Sequence, residues 1–285
     1  MPIDVTLLAA KTRFVVVHYH IFKNGGSTVE HILNREFPGS FARLHGPTSD
    51  AVLDGENLAV FLKEHPGVDA VTSHHLRYPL PVIRNTVLFD CCFLRHPLER
   101  LDSLYSYYRK IDSTEPLCRM AHRCAPVEFF RHLIDRAPEQ VANVQVVQLA
   151  NGGAFTRPAH EGDLDRAVRI VRNMAFPGVV EMFRESLVAA EYFMRPAFPS
   201  LRLNYSGPAN MSRPALASAE QRQQRLLDRW GTGLYNELKK LNSLDIELVA
   251  RATQEIERRL DLTAGLSGRI AEFDSRCQEL AASVG

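Results

Sequence analysis

The chain has 285 residues, 45% of them hydrophobic, enough for one large globular domain with a sizeable core. Lys and Arg total 34 against 33 Asp and Glu, a net charge of +1. That balance argues against a general nucleic-acid binder, so any anion site must be local. No stretch reaches the ~18 consecutive apolar residues of a membrane span, and the apolar part of MPIDVTLLAAKTRF is too short for a secretory signal. The five cysteines, two of them adjacent at Cys91 and Cys92, suggest reduced thiols in a cytoplasmic setting rather than a disulfide framework.

Residues 13–21 (RFVVVHYHI) are apolar and β-branched and run into a glycine turn, the pattern of a buried parallel strand. Val29, Ile32, Leu33 and Phe37 then fall at helical spacing, predicting an amphipathic helix over 27–37. GVDAVTS (67–73) and NTVLFDCCFL (85–94) read as the next strands, and Pro97 sits where a first helical turn tolerates it. Leu98, Leu101, Tyr105 and Tyr108 supply the apolar stripe of the helix that follows. Further helices are predicted near 126–135, 138–150 and 163–174, with short strands at 176–183 and 201–205 and a helix between them. From about 216 the chain is charged and helical, with Trp230 and the Leu/Ile pattern of 237–260 as its packing face. Alternating strands and helices predict an α/β fold with a mainly parallel sheet. The whole of 1–285 reads as a single domain, with a core of about 13–215 and a C-terminal helical region of about 216–285.

The turn after the first strand, KNGGST, gathers backbone N–H groups and a helix N-terminus around one point, a geometry that favours phosphate or sulfate. Gly25 and Gly26 permit close approach of the backbone, Ser27 and Thr28 add hydroxyls, and Lys23 adds a full charge. Only six of the 34 basic residues are lysines, which makes Lys23 less ordinary as surface charge. The lysine precedes the glycines, so the Walker pattern is absent, as is G-x-G-x-x-G. Read alone, KNGGST is also a plain turn with a solvated lysine; the strand before it and the helix after it favour the anion site. A second strand–junction–helix follows in FLRHPLERLDSLYSYY (93–108). Arg95 stands at the strand's end with Ser103 eight residues later, a guanidinium fork and a hydroxyl suited to one phosphate, although a strand-end arginine also makes ordinary ion pairs.

The two elements together resemble the PAPS-dependent sulfotransferases, in look closest to the carbohydrate 2-O- and 6-O- (heparan sulfate) branch. HIFKNGGSTV resembles their 5′-phosphosulfate loop, with Phe22 where proline and Asn24 where threonine is usual. LRHPLERLDS resembles their 3′-phosphate element. NVQVVQLANG (143–152), VVEMFRESL (179–187) and LDIELV (244–249) are weaker likenesses in the same chain order. The resemblance, over residues 13–250, implies a P-loop-like three-layer fold. It also implies PAPS as co-substrate and transfer of a sulfuryl group to a hydroxyl of a glycan or glycan-like metabolite. Lys23, Asn24, Gly25, Gly26, Ser27, Thr28, Arg95 and Ser103 would hold the donor, with Lys23 stabilising the leaving phosphate. TSHHLRYP (72–79) resembles the family segment that carries the base, aligning His75 with the histidine and Tyr78 with a tyrosine; His74 occupies a glycine position, which leaves the register between the neighbours open.

The competing readings are an ATP-dependent small-molecule or sugar kinase on a related fold and a nucleotide-responsive binding protein without turnover. A kinase needs Mg²⁺ held by a strand-end acid, and Asp90 lies inside a strand run. CRMAHRC (118–124) groups Cys118, His122 and Cys124 but lacks a fourth ligand and zinc spacing, so no metal is expected there and the segment reads as an acceptor-side loop with free thiols. His18 and His20 share one strand face, His20 matching the family's pre-loop histidine in a structural or loop-supporting role, and EIERRL (255–260) reads as a solvated helix face.

Overall fold

The computed structural model describes residues 12–48, 50–152, 157–207 and 218–284. Among these, five strands form one all-parallel sheet in the order β2-β3-β1-β4-β5. The strands are β1 (Arg13–Tyr19), β2 (Phe41–Arg43), β3 (Ala70–Ser73), β4 (Thr86–Leu94) and β5 (Phe176–Val179). The helices are α1 (Gly26–Glu36), α2 (Gly55–Glu64), α3 (Pro97–Tyr108), α4 (Pro116–Arg123), α5 (Pro126–Arg136), α6 (Val144–Ala150), α7 (Glu161–Asn173), α8 (Phe183–Met194), α9 (Ala219–Leu241), α10 (Ser243–Asp261) and α11 (Leu266–Val284).

Strand alternation splits the core in two. Val15, Val17, Tyr19, Cys92 and Leu94 face α2, α6, α7 and α10, packing on Leu58, Leu62, Val146, Val171 and Leu248. Val16, Cys91 and Phe93 face the other way, onto Val29, Ile32 and Leu33 of α1, Leu187 of α8 and Phe273 of α11. The central strands are therefore apolar on both faces, and the expected α/β layering, helices on each side of a parallel sheet, is the architecture observed. A third cluster joins α3, α5 and α9 through Leu101, Tyr105, Phe130, Trp230 and Leu238, with Phe22 of the glycine turn packed against it. No helix among the described residues is long and apolar enough to cross a membrane.

Several boundaries differ from the sequence expectation. Residues 201–205 are not a strand: Arg202 N donates to Glu36 Oε2, Leu203 N to Glu191 Oε1 and Tyr205 N to Cys277 Sγ, so side chains take the N–H groups that a sheet edge would have taken. The expected helix over 138–150 is broken, because Asn143 adopts the left-handed conformation (φ 48°) and starts α6 afresh behind a short 3₁₀ turn at Pro138–Gln140. The stretch 118–123 is not a loop but belongs to α4, whose Cys118 and Ala121 are buried and whose C-cap residue Cys124 accepts the Tyr105 hydroxyl on its carbonyl at 2.7 Å. The strand expected over 176–183 stops at Val179. β2 and α2 arise in a region with no expected element, α2 being started by a reciprocal Asp54–Asn57 capping box.

Candidate anion-binding site

The strand order sets where a ligand belongs. From β1 the chain departs toward the β2 edge, and from β4 it departs toward the β5 edge. The carboxyl ends of these adjacent strands flank the topological switch point, the crevice where α/β sheets bind ligands. The glycine turn (20–25) leaves β1 there and Arg95–His96 leave β4 there.

Lys23 has φ 69° and Gly25 φ 73°, so the turn uses the left-handed region twice, once at a residue with a long side chain. Such a conformation costs free energy and persists only when its surroundings enforce it. Gly26 is required for a different reason: a Cβ there would lie 2.0 Å from His20 Cδ2, since the buried imidazole sits directly against it. Gly25 is the N-cap of α1, which has no side-chain cap at this end. Ser27 is exposed and Thr28 buried. The side chain of Asn24, expected at the ligand, instead turns inward, with Nδ2 donating to Phe93 O (2.9 Å) and to Gln145 Oε1 (2.8 Å). Its primary amide satisfies two buried acceptors, and any contribution of Asn24 to an anion comes from the backbone.

The Lys23 ammonium lies over the Tyr107 ring, 4.2 Å from its centroid. Among the described residues no carboxylate pairs with it, and burial, then the charges of Arg95 and Lys110, push it down to about 8. Arg95 reaches back to this turn: Nη1 donates to Lys23 O at 3.2 Å, while Nη2 lies 3.9 Å from Glu99 Oε2. Glu99 also receives Arg225 of α9 at 2.7 and 2.8 Å. Ser103 is half-buried one helical turn beyond Glu99 and one turn before Tyr107, so it lies in the same row of α3 as the ring beneath Lys23. The structure thus brings Lys23, Gly25, Gly26 and Ser27 together with Arg95 at the carboxyl ends of β1 and β4, with Ser103 on the α3 row that also carries Glu99 and Tyr107. His96 N donates to Glu181 Oε1 at 3.0 Å, giving the weak VVEMFRESL likeness a structural role in anchoring the junction after β4.

The two candidate histidines separate cleanly. His75 Nδ1 accepts the Gly46 N–H at 2.7 Å, and its ring lies 6.0 Å from that of His45 in the segment after β2. This lone pair is spent, so its neutral form carries the proton on Nε2. This hydrogen bond ties His75 to the segment after β2 and lends no support to the proton-acceptor role expected of it. His74 Nδ1 donates to His20 O at 2.8 Å, which leaves Nε2 as the acceptor, and its ring lies 3.8 Å from His20 and 6.2 Å from Phe22. Burial and the neighbouring His20 push His74 down to about 4, so its imidazole is neutral at ordinary pH. It borders a narrow cleft that Ser73, Arg77 and Gln148 also line. Arg77 is buried and donates to His74 O at 2.8 Å and Leu76 O at 2.9 Å, fixing this loop. Tyr78 lies away from the crevice, stacked on Tyr19 and donating to Asp90 Oδ2 at 2.9 Å.

Sequence reasoning did not single out Tyr107, Glu181 or Gln145 individually. Tyr107 carried a signal, its spacing of four residues from Ser103; the others lie within stretches noted only as weak likenesses. A second cavity lies elsewhere, between α8, α11 and Phe198, and Phe198 packs on Phe14 and Phe89 near the amino ends of β1 and β4. It is remote from these loops.

No family model matches the chain. It is similar to an uncharacterized protein from Archaeoglobus fulgidus, 26% identical over 246 residues that cover 83% of this chain and 94% of that protein.

Proposed function

We propose that this protein is a sulfotransferase that moves a sulfuryl group from PAPS to a hydroxyl, on a glycan or glycan-like metabolite. The observation that carries the reading is the Arg95 Nη1–Lys23 O hydrogen bond at 3.2 Å, which joins the two anion-binding elements in one crevice at the switch point. A donor with phosphates at both the 5′ and the 3′ positions needs two such elements at fixed spacing. The donor supplies an activated S–O bond; the acceptor oxygen forms a new bond to sulfur in line as that bond breaks, and adenosine 3′,5′-bisphosphate leaves. Lys23 and the first-turn N–H groups of α1 stabilise charge on the leaving oxygen. Arg95 and Ser103 orient the 3′-phosphate. His74, neutral and with Nε2 available, takes the acceptor proton. The free, buried thiols of Cys91 and Cys92 support a reducing, cytoplasmic compartment.

The kinase reading is weaker on one specific point. Asp90, the acid of β4, accepts from the Tyr78 hydroxyl and from Ala175 N at 2.8 Å, which commits it to the core. Titration calorimetry separates the readings: adenosine 3′,5′-bisphosphate should bind at least tenfold tighter than 5′-AMP or ATP. Equal affinities would remove the case for a 3′-phosphate site, and nucleotide binding with no transfer to any hydroxyl would leave a binding protein.

A further inference from the structure

Gln145 opens the first turn of α6 and is wholly buried, yet its side-chain amide meets both loops of the site at once. Oε1 accepts from Asn24 Nδ2 at 2.8 Å and from Arg95 N at 2.9 Å. Nε2 donates to Arg95 O at 2.8 Å and to Asp245 Oδ2 at 3.2 Å. One amide therefore brackets the backbone of Arg95 on both its N–H and its carbonyl, as a neighbouring strand would, and ties Asn24 with the same oxygen. Both donors and both acceptor lone pairs of the glutamine are used.

The amide is itself held from behind. Asp245 caps α6 by accepting Gln145 N at 3.1 Å and Val146 N at 2.8 Å. Asn143, just before α6, returns the favour to α10 by accepting Leu244 N at 3.0 Å and Asp245 N at 3.1 Å. The two helices cap each other, so two otherwise unconnected sequence segments, 143–146 and 242–245, form one rigid support. Asn242 closes it, donating to Val141 O at 2.7 Å and accepting Asn143 N at 3.2 Å. A buried amide with all of its donors and acceptors paired specifies geometry that an apolar side chain of equal volume would leave loose.

We infer that Gln145 is a positioning residue that fixes the distance between the Lys23 turn and the Arg95 strand end, making one site of set span from two loops. The functional part of this inference rests on the donor reading above; the coupling of the loops does not. Replacing Gln145 by Met leaves both Arg95 backbone groups without this partner and Asn24 with Phe93 O alone, which loosens the two loops relative to each other.

The test uses the full chain and two readouts. Gln145→Met, kept well below its melting temperature, should bind adenosine 3′,5′-bisphosphate roughly ten- to a hundredfold more weakly than wild type, with its preference over 5′-AMP reduced. In a double-mutant cycle with Arg95→Ala the two losses should not add, because both act on one element. Amide hydrogen exchange needs no nucleotide: residues 22–26 and 94–96 should exchange at least tenfold faster together, with Val16 and Val71 unchanged. A folded Gln145→Met with wild-type exchange in both loops, or fully additive losses, overturns the inference. If wild type ignores the 3′-phosphate, the sulfuryl reading fails and the exchange measurement alone decides. Should Gln145→Met not fold, Gln145→Glu keeps the acceptor for Asn24 and Arg95 N but sets an oxygen against Arg95 O and Asp245. It should then loosen 94–96 while sparing 22–26, and uniform loosening would count against the inference.

Discussion

The guanidinium of Arg95 hydrogen-bonds the backbone carbonyl of Lys23 at 3.2 Å, reaching across 72 residues of sequence. It thereby supports a lysine held at φ 69° while presenting its own charge to the same crevice. Arg95→Ala should cost about 1.5–3 kcal/mol of stability, the range for a charged hydrogen bond. It should also erase most of the preference for adenosine 3′,5′-bisphosphate over 5′-AMP. Calorimetry with both nucleotides checks this, and an unchanged preference would place the 3′-phosphate elsewhere.

Gly26 and His20 make a second testable pair. A methyl at position 26 would enter the His20 ring, so Gly26→Ala should destabilise by about 1–3 kcal/mol, as overpacking does. The collision is specific. In a His20→Ala background the same substitution should cost under about 1 kcal/mol, because the space is then open. Denaturant titration of the four variants gives the cycle; equal costs in both backgrounds would mean that the loop strain lies elsewhere.

How much of this was legible beforehand follows from range. β1, the glycine turn and α1 are contiguous and carry their own signals, an apolar β-branched run, two glycines and a 3.6 period. β2 has three residues, too few to show a period. The segment 201–205 alternates like a strand, and only the distant Glu36, Glu191 and Cys277 decide that its N–H groups bond side chains. Which ring nitrogen His74 and His75 leave unengaged was unreadable for the same reason, because their Nδ1 atoms meet the His20 carbonyl and the Gly46 amide, 54 and 29 residues away. The mutual capping of α6 and α10 spans about a hundred residues and left only isolated Asn, Gln and Asp in the sequence.

Lys23 gives a pH dependence on the alkaline side. Burial and neighbouring positive charge lower it to about 8, so the free protein loses this charge as pH rises past 8. Phosphate binding favours the protonated form, and affinity for adenosine 3′,5′-bisphosphate should therefore fall up to tenfold per unit above that value. Lys23→Ala should abolish this dependence and cut kcat by about two to three orders of magnitude, the range for loss of one preorganised donor. A pH-independent wild-type affinity between 7 and 9.5 would show that Lys23 does not meet the phosphate.

Metal dependence separates transfer of sulfuryl from transfer of phosphoryl. Asp90, committed to Tyr78 and Ala175, is not placed to hold Mg²⁺ at the end of β4. Turnover should survive a strong chelator at undiminished kcat. A strict Mg²⁺ requirement restored by the metal alone would favour the kinase reading.

The last prediction assigns the proton acceptor. His74→Ala should abolish most transfer while leaving adenosine 3′,5′-bisphosphate binding near wild type, since only the acceptor side is touched. His75→Ala should keep turnover within a fewfold, because its Nδ1 serves the Gly46 amide. The pH profile carries the sign. A neutral imidazole accepts the proton, and His74 is lowered to about 4 from an ordinary 6.5, so the acid limb of the rate should fall near 4. Stability moves with it. His18 is lowered by burial and by its histidine neighbours, and His96 to about 4 by burial and nearby Arg222, so between about 4 and 6.5 the unfolded chain binds more protons than the native one. Stability should therefore be full above 6.5 and decline as pH falls through that window, and His74→Gln should flatten part of the decline. An acid limb that His75→Ala removes and His74→Ala leaves in place would return the role to His75. Activity retained in both alanine variants would move the base out of this loop altogether.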